Sequence, residues 1–489
     1  MLSLNRNSYI PWLSLFLLFI SYSLSNGIYI TVGRVTYYPV LKSDFMSILL
    51  TILSILLLAL YNYKYAYLIP LSLLSFFSPS IISLILIIPV IFSIRRFNTI
   101  VTIILILADS TMLTWVILRL LFNVNSYFSL PLSLFEIGAP ALIPIVWIIG
   151  IIFYIFPSKK NVSTSKLSVN IILPFIVTLL IALIPYMPNI NPTRFPETVD
   201  FVYYYSWLVH PKFSSWFFYT RPFYLMLLYI FSLIFKPYPV AYYEFVFLSI
   251  FYVYSAYKLA SAVNRAIAPL SALLASVSPM LITFLYSGLE ANLFSISLMF
   301  ISLSYLMRKE KLWLAILLSL ASMFSHIYAW AQLSGAVIVY YILKIILHKT
   351  KLDKYELYYM LFLLPFVVIG FSLILIGIFP VPIQLISFSQ LVYQIKVVSW
   401  GSNNAFLYYL ISSYGNRFTN KDILGFIYSI SVVGIFLLAP ATNLIIDLPL
   451  FIPAAYTLNN IRKDISSLLL IALILWGVYM SINSVPMVY

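Results

Sequence analysis

The sequence has little charge and no cysteine, and both shortages exclude whole classes of protein. Only 8% of its 489 residues are charged, whereas soluble proteins carry about 25%, so the chain cannot cover a water-facing surface. Without cysteine it cannot form disulfides, iron–sulfur clusters, thiolate zinc sites or cysteine nucleophiles. Its three histidines are too few for haem–copper or other multi-histidine metal chemistry.

Hydrophobic residues make up 63% of the chain, and the mean hydropathy is +1.04. At about 20 residues per span, the apolar runs supply roughly 14–16 helices, so the sequence predicts an all-α polytopic protein of the plasma membrane. Basic residues outnumber acidic ones by 28 to 13. In a membrane protein such an excess accumulates in cytoplasmic loops, and we therefore expect lipids, and not nucleic acid, as partners.

Clusters of lysine and arginine mark the predicted cytoplasmic loops; they lie at 95–96, 159–166, 308–311, 344–354 and 462–463. Counting spans from these clusters puts the polar stretches 188–220, 287–292 and 380–422 outside. The count is inconsistent by one crossing between residues 219 and 286. Either one helix there does not cross fully, or Lys258 and Arg265 are exceptions to the rule.

A short polar and basic linker at 157–168 divides the chain. We expect an N-terminal transmembrane block of unknown role at 1–157. A core at 167–345 carries the outer loop 188–220, and a C-terminal block at 346–489 carries the outer loop 380–422. Long loops are the usual location of function.

The 13 acidic residues are few enough to consider one by one. Asp109 and Glu244 lie inside apolar runs, where a charge is costly, so each should face a polar cavity or a partner. Asp447 opens a proline-rich stretch and is predicted to cap a helix. Most of the others lie beside spans and near basic residues or water, as solvated loop charges; these are Asp44, Glu136, Glu310, Asp353, Glu356, Asp422 and Asp464.

Glu197, Asp200 and Glu290 are the acids predicted on the outer side. Pro196 and the acids after it are typical of a helix start, and an aromatic helix should run from there to about residue 210. That helix is too short to span, so it should lie along the membrane interface. Arg221, followed by Pro222, puts a cation at the outer end of the next span, as a snorkelling anchor or as a bidentate clamp for phosphate.

In this order, the elements resemble a GT-C glycosyltransferase of the branch that contains protein O-mannosyltransferases and lipid A aminoarabinose transferases. The resemblance covers about residues 167–345. Glu290 stands where the branch has aspartate, and about five additional spans precede the core. The Trp-Trp-Asp motif of oligosaccharyltransferases, which goes with a divalent metal, is absent. The matching residues are Asp200 with Tyr204, Arg221-Pro222, Ser278-Pro279, Glu290 and His326.

The resemblance implies a GT-C-like core that moves a sugar from a polyprenyl (dolichyl) phosphate to a protein, lipid or glycan acceptor at the extracytoplasmic face. Asp200 would be the general base and Arg221 would neutralise the leaving phosphate, with inversion at the anomeric carbon and without metal or other cofactor. Glu197, Tyr204, Glu290 and His326 would bind substrate, and Lys396 would add a second positive contact. Aromatic residues of the outer loop would stack on sugar or line a prenyl groove; these are Tyr203, Tyr204, Trp207 and Trp216.

Two other functions fit a polytopic chain. A transporter or lipid flippase would use intramembrane charges such as Asp109, Arg119 and Glu244, although the sequence lacks the repeated halves typical of transporters. A polymerase or ligase of surface polysaccharide would share the lipid-linked substrate and would rely on Arg417 and Lys421 in the loop 380–422.

Overall fold

The computed structural model is helical, as predicted, and defines 23 α-helices in the described part of the chain. The structure describes residues 10–26, 28–32, 36–93, 97–122, 139–157, 167–192, 194, 200–348, 351–376, 387–397, 405–419, 422–437 and 443–482. In chain order the helices are α1 (Ile10–Asn26), α2 (Asp44–Tyr61), α3 (Leu68–Leu73), α4 (Pro79–Ser93), α5 (Phe97–Phe122), α6 (Ala139–Ile155), α7 (Ile172–Leu183), α8 (Phe201–Val209), α9 (Trp216–Thr220), α10 (Pro222–Phe235), α11 (Pro237–Val263), α12 (Ala268–Ser276), α13 (Pro279–Ser287), α14 (Glu290–Arg308), α15 (Leu312–Ser325), α16 (Ile327–His348), α17 (Lys354–Leu375), α18 (Phe388–Val397), α19 (Phe406–Gly415), α20 (Ile423–Ile435), α21 (Asn443–Ile446), α22 (Phe451–Asn460) and α23 (Lys463–Ile482).

Among the described residues, seven helices are long and apolar enough to cross a membrane. They include α11, α14 and α16, together with the combined segment Ala268–Leu285 that α12 and α13 form. Seven further apolar helices are shorter, with 10–17 residues. These lengths support a polytopic membrane protein, while the number of crossings remains a prediction.

A short β-hairpin interrupts the helices near the N-terminus. Its strands, β1 (Ile28–Val32) and β2 (Thr36–Leu41), pair antiparallel with Ile30 opposite Tyr38. Both segments are rich in β-branched and aromatic residues, which favour strands over helix.

The chain forms two compact units, residues 1–111 with 125–138, and residues 112–124 with 139–489. In the first unit, α1, α2 and α4 pack around a core that includes Leu18 and Leu86. Helix α6 belongs to the second unit, where it packs against α19 and α20, although the sequence boundary at 157 assigned it to the N-terminal block. The second unit also contains both the predicted core and the predicted C-terminal block.

Helices α11 and α14 of the second unit pack along each other and run parallel. At one end, the Arg308 guanidinium of α14 donates to the Ser261 hydroxyl of α11 at 2.7 Å. At the other end, Glu290 of α14 interacts with Glu244 of α11. The 18 helical steps from Glu290 to Arg308 span about 27 Å, close to the thickness of a bilayer core.

The Arg308 end collects the predicted cytoplasmic charges. Lys309 pairs with Asp353, and Lys344 pairs with Glu356 at 2.9 Å, which joins the ends of α14, α16 and α17. Two of the predicted loop acids therefore do pair with basic residues at a helix end. We call this the basic end of the second unit.

Helix α10 lies in the region where the sequence count is inconsistent by one crossing. It has 14 residues, about 21 Å, which is shorter than a bilayer core of about 30 Å. Tyr224 at its start contacts Glu244 of α11, so the chain leaves this point at residue 221 and has returned to it by residue 244. Tyr224 and Glu244 therefore lie close together although α10 separates them along the chain, and the number of crossings in this part of the chain remains a prediction.

The apolar run at 267–286, which is long enough for one span, contains a break between two helices in the structure. Helix α12 ends at Ser276 and α13 begins at Pro279, with the Ser278 hydroxyl accepting from the Leu281 amide at 3.2 Å. Proline disfavours helical backbone in the residue before it, and serine caps the helix that follows. The break lies inside the protein, since Ser276, Val277 and Ser278 are fully buried.

Candidate active site at the end opposite the basic residues

Asp200 lies at the start of the short aromatic helix α8. It occupies the N-cap position, yet its side chain makes no capping hydrogen bond, so the carboxyl group is not used to hold the helix. Helix α8 buries Tyr204 and Trp207 on one face and exposes Val202 and Tyr203 on the other. This pattern fits the predicted interfacial helix, although the helix begins at Phe201 and so starts later than the sequence indicated.

Tyr204 follows Asp200 by one helical turn, and its hydroxyl contacts Arg221. The Arg221 Nη1 atom donates a hydrogen bond to the Tyr204 hydroxyl at 2.9 Å, and Nε lies 3.3 Å from the Thr220 hydroxyl. The guanidinium also lies over the Phe217 ring, 4.5 Å from its centroid, in a cation–π contact. Arg221 is therefore held in place between α8, α9 and α10, and Nη2 carries two further N–H donors.

Two buried glutamates complete the cluster. The Tyr224 hydroxyl donates to Glu244 Oε2 at 2.8 Å. Glu244 is 6% exposed and Glu290 is fully buried, and Glu244 interacts electrostatically with Glu290 and with Asp200. Tyr204 in turn interacts with Arg221 and with all three acids. The structure thus brings Asp200, Tyr204, Arg221 and Glu290 into one cluster.

The surroundings of Asp200 raise the pKa of its carboxyl group. Burial raises the pKa of its carboxyl group to about 6, against the opposing effect of the Arg221 cation, which lowers it. Burial likewise raises the pKa of the Tyr204 hydroxyl far above its usual value, so that tyrosine stays protonated. Asp200 is therefore an ionised carboxylate near neutral pH that can accept a proton.

His326 lies at the junction of α15 and α16 and is close enough to Arg221 to interact with it. Burial lowers the pKa of its imidazole well below the usual value, and Arg221 lowers it further. Nδ1 faces the Ala329 amide at 3.4 Å. A neutral imidazole beside the arginine can form hydrogen bonds but adds no positive charge.

For two of the predicted site residues the structure does not describe the side chain. Glu197 is not among the described residues, and Lys396 is part of α18 but its side chain is not described. Trp207 is 5% exposed and stacks on Phe218, so its ring is not available for sugar or lipid. Tyr203 and Trp216 remain 61% and 52% exposed.

Sequence reasoning missed Tyr224, Phe217 and the membership of Glu244 in this cluster. Glu244 carried a usable signal, because an acid inside an apolar run is a candidate functional residue. Its distance from Asp200 along the chain concealed the connection. Nothing in the sequence singled out Tyr224 or Phe217 from the many aromatic residues around them.

No family model, curated protein or solved structure matches the chain.

Proposed function

We propose that the protein is an integral-membrane glycosyltransferase that takes a sugar from a polyprenyl-phosphate donor. The observation that carries the proposal is that a carboxylate, Asp200, interacts electrostatically with Arg221, an arginine that the Tyr204 hydroxyl holds in place. Transfer from a lipid phosphate needs a base for the acceptor and a cation for the leaving group, and these two residues have the matching chemistry.

Asp200 acts as the general base in this proposal. It takes the proton from an acceptor hydroxyl, and the acceptor oxygen forms a bond to the anomeric carbon. A pKa of about 6 favours this role, because a base titrating near the working pH is both ionised and a competent proton acceptor.

Arg221 stabilises the leaving group. As the bond between the anomeric carbon and the phosphate oxygen breaks, its electrons pass to that oxygen, and a guanidinium stabilises the developing charge. Attack opposite the leaving phosphate inverts the anomeric centre. In this proposal Glu290 and the neutral His326 form hydrogen bonds to the sugar.

We also propose that the site faces the outside at the plasma membrane. Glu290 and Arg308 mark opposite ends of α14, and lysine and arginine collect at the second end. Basic residues favour the cytoplasmic side, which leaves the candidate site on the extracytoplasmic side, where a protein, lipid or glycan would present its hydroxyl group.

Asp200→Asn in cells tests the proposal, with surface glycans compared by mass spectrometry. Loss of a general base typically costs about 10²–10⁴-fold in rate, so we expect a glycan species to disappear. Asp464→Asn is the matched control, because Asp464 is an exposed acid paired with Arg462 near the start of α23. Unchanged glycans at normal expression of Asp200→Asn would overturn the assignment.

Transport is the second candidate function, and the buried acids favour it. Glu244 and Glu290 lie within membrane-length helices, where ionisable groups often mark proton or ion paths. Flux of a labelled lipid-linked sugar across liposomes, lost in Glu244→Gln and unaffected by Asp200→Asn, would favour a flippase. The reverse pattern favours the transferase.

A polymerase or ligase would rely on Arg417 and Lys421. Arg417 lies in the turn Asn416–Phe418, and Lys421 is outside the described residues.

A further inference from the structure

A second buried polar cluster lies where α12 and α13 are interrupted. Four segments contribute one side chain each: Tyr252 from α11, Ser278 from the break, Asn292 from α14, and Asp447 from the turn after α21. All four are at most 4% exposed. The sequence predicted that Asp447 caps a helix, but its carboxylate instead accepts from Asn292 Nδ2 at 3.0 Å.

The atoms of this cluster are mainly oxygens. The Asn292 Oδ1 atom is buried and has no hydrogen-bond partner among the described residues. The Tyr252 hydroxyl interacts with Ser278 and Asp447 without completing a hydrogen bond of normal geometry within the described part of the chain. The Ser278 hydroxyl already accepts one amide and retains a second lone pair.

The environment of Asp447 lacks a positive charge in the described part of the chain. Its described neighbours are the Asn292 amide and the Tyr252 hydroxyl, and Tyr408 lies beyond Tyr252 with its hydroxyl bound to the Leu274 carbonyl. A buried carboxylate without a cation is costly. Burial raises the pKa of Asp447 to about 7, while the hydrogen bond from Asn292 lowers it.

The residues of the cluster indicate which kind of ion would balance the charge of Asp447. Carboxylate, amide and hydroxyl oxygens are ligands for hard cations, and a single carboxylate is balanced by a single positive charge. The C-terminal end of α12 adds the negative end of a helix dipole, whereas Ser278 and Asn292 lie at the positive ends of α13 and α14, so the Asp447 carboxylate is the main source of negative charge. Interrupted membrane helices supply alkali-cation sites in this way in transporters.

We propose that Asp447, Asn292, Tyr252 and Ser278 form a binding site for a monovalent alkali cation such as sodium. The site is separate from the proposed transfer chemistry and does not depend on it. Because Glu290 and Asn292 lie on the first turn of α14, an ion here would also fix the turn that carries a residue of the candidate active site.

Thermal unfolding of the purified full-length protein in detergent tests the proposal. Sodium chloride, potassium chloride and choline chloride are compared at equal ionic strength and at pH 8. A ligand that binds only the folded state raises the Tm as its concentration increases, and we expect a rise of about 3 °C or more in sodium over choline. Asp447→Asn should abolish this rise, and Asn292→Ala should reduce it.

Ser276→Ala is the matched control, because its hydroxyl lies at the same break and, within the described part of the chain, donates to the Leu273 carbonyl and not to the cluster. It should keep the full sodium response. An equal Tm in all three salts would overturn the proposal, as would a sodium response that persists in Asp447→Asn. The Tm could instead change with pH in the native protein but not in Asp447→Asn, and show no response to sodium. That result would show that a proton takes the place of the ion, and it too would overturn the proposal.

Discussion

The Arg221 guanidinium donates to the Tyr204 hydroxyl at 2.9 Å, and this contact joins the interfacial helix α8 to the start of α10. Tyr204 is fully buried and its ring also lies 5.6 Å from Tyr224, the residue that donates to Glu244. One tyrosine therefore connects the cation of the candidate site with its buried acids.

Tyr204→Phe should reduce transfer about tenfold while the protein stays folded. The substitution keeps the buried ring and removes only the hydroxyl that orients Arg221; a net hydrogen bond to a charged group contributes about 1.5–3 kcal/mol. The measurement is the yield of the surface glycan that Asp200→Asn removes. Tyr203→Phe, one residue earlier and exposed, is the control, and an equal effect of both would contradict the orienting role.

Arg221→Lys distinguishes a phosphate clamp from a snorkelling anchor. Lysine keeps the positive charge and can snorkel, but it cannot bind phosphate with two parallel hydrogen bonds. We expect a loss of tenfold or more in transfer with unchanged membrane insertion. Arg194→Lys, at an exposed arginine that precedes α8 in the chain, should have no effect. Full activity of Arg221→Lys would favour the anchor.

The Asp200 carboxyl group should give activity and stability opposite pH dependences. Its pKa is raised from 3.8 to about 6, so the base is lost, and activity falls, as the pH drops below about 6. Between pH 3.8 and 6 the folded state binds more protons than the unfolded state, so this group makes the protein more stable as the pH falls. Tm measured from pH 4 to pH 8 should therefore vary less in Asp200→Asn than in the native protein. An identical profile in both would exclude the raised pKa.

Tyr224→Phe should destabilise the protein by about 1–3 kcal/mol, because it leaves a buried Glu244 oxygen without its donor. The measurement is the Tm of the purified protein. Tyr219→Phe is suitable as the control, since Tyr219 is 60% exposed. If Glu244→Gln restored stability in the Tyr224→Phe background, the penalty would be assigned to the unpaired carboxylate.

The absence of cysteine makes the orientation directly measurable. A single cysteine in place of the exposed Tyr219 should react with a membrane-impermeant maleimide added to intact cells. A cysteine in place of the exposed Asp464, beside a predicted cytoplasmic arginine, should react only after the membrane is permeabilised. The reverse labelling pattern would place the candidate site in the cytoplasm and would remove the proposed extracellular acceptor.

Local patterns predicted the elements that carry the site, because their causes lie within a few residues. Pro222 after Arg221 and Ser278-Pro279 both mark helix starts in the structure. Hydropathy marks 267–286 as one apolar run, and the structure has one membrane-length segment there, Ala268–Leu285, with the Ser278-Pro279 break inside it. Local patterns also gave Asp447 a role as a cap, whereas its partner, Asn292, is 155 residues away.

The sequence by itself determined that the protein belongs in a membrane, because 8% charged residues cannot cover a water-facing surface. The same scarcity allowed its few acids to be considered individually. Only the tertiary structure decided which of those acids act together. Asp200, Glu244 and Glu290 lie far apart along the chain and meet because α11 packs against both α8 and α14. That arrangement follows from packing between whole helices, which no short stretch of sequence encodes.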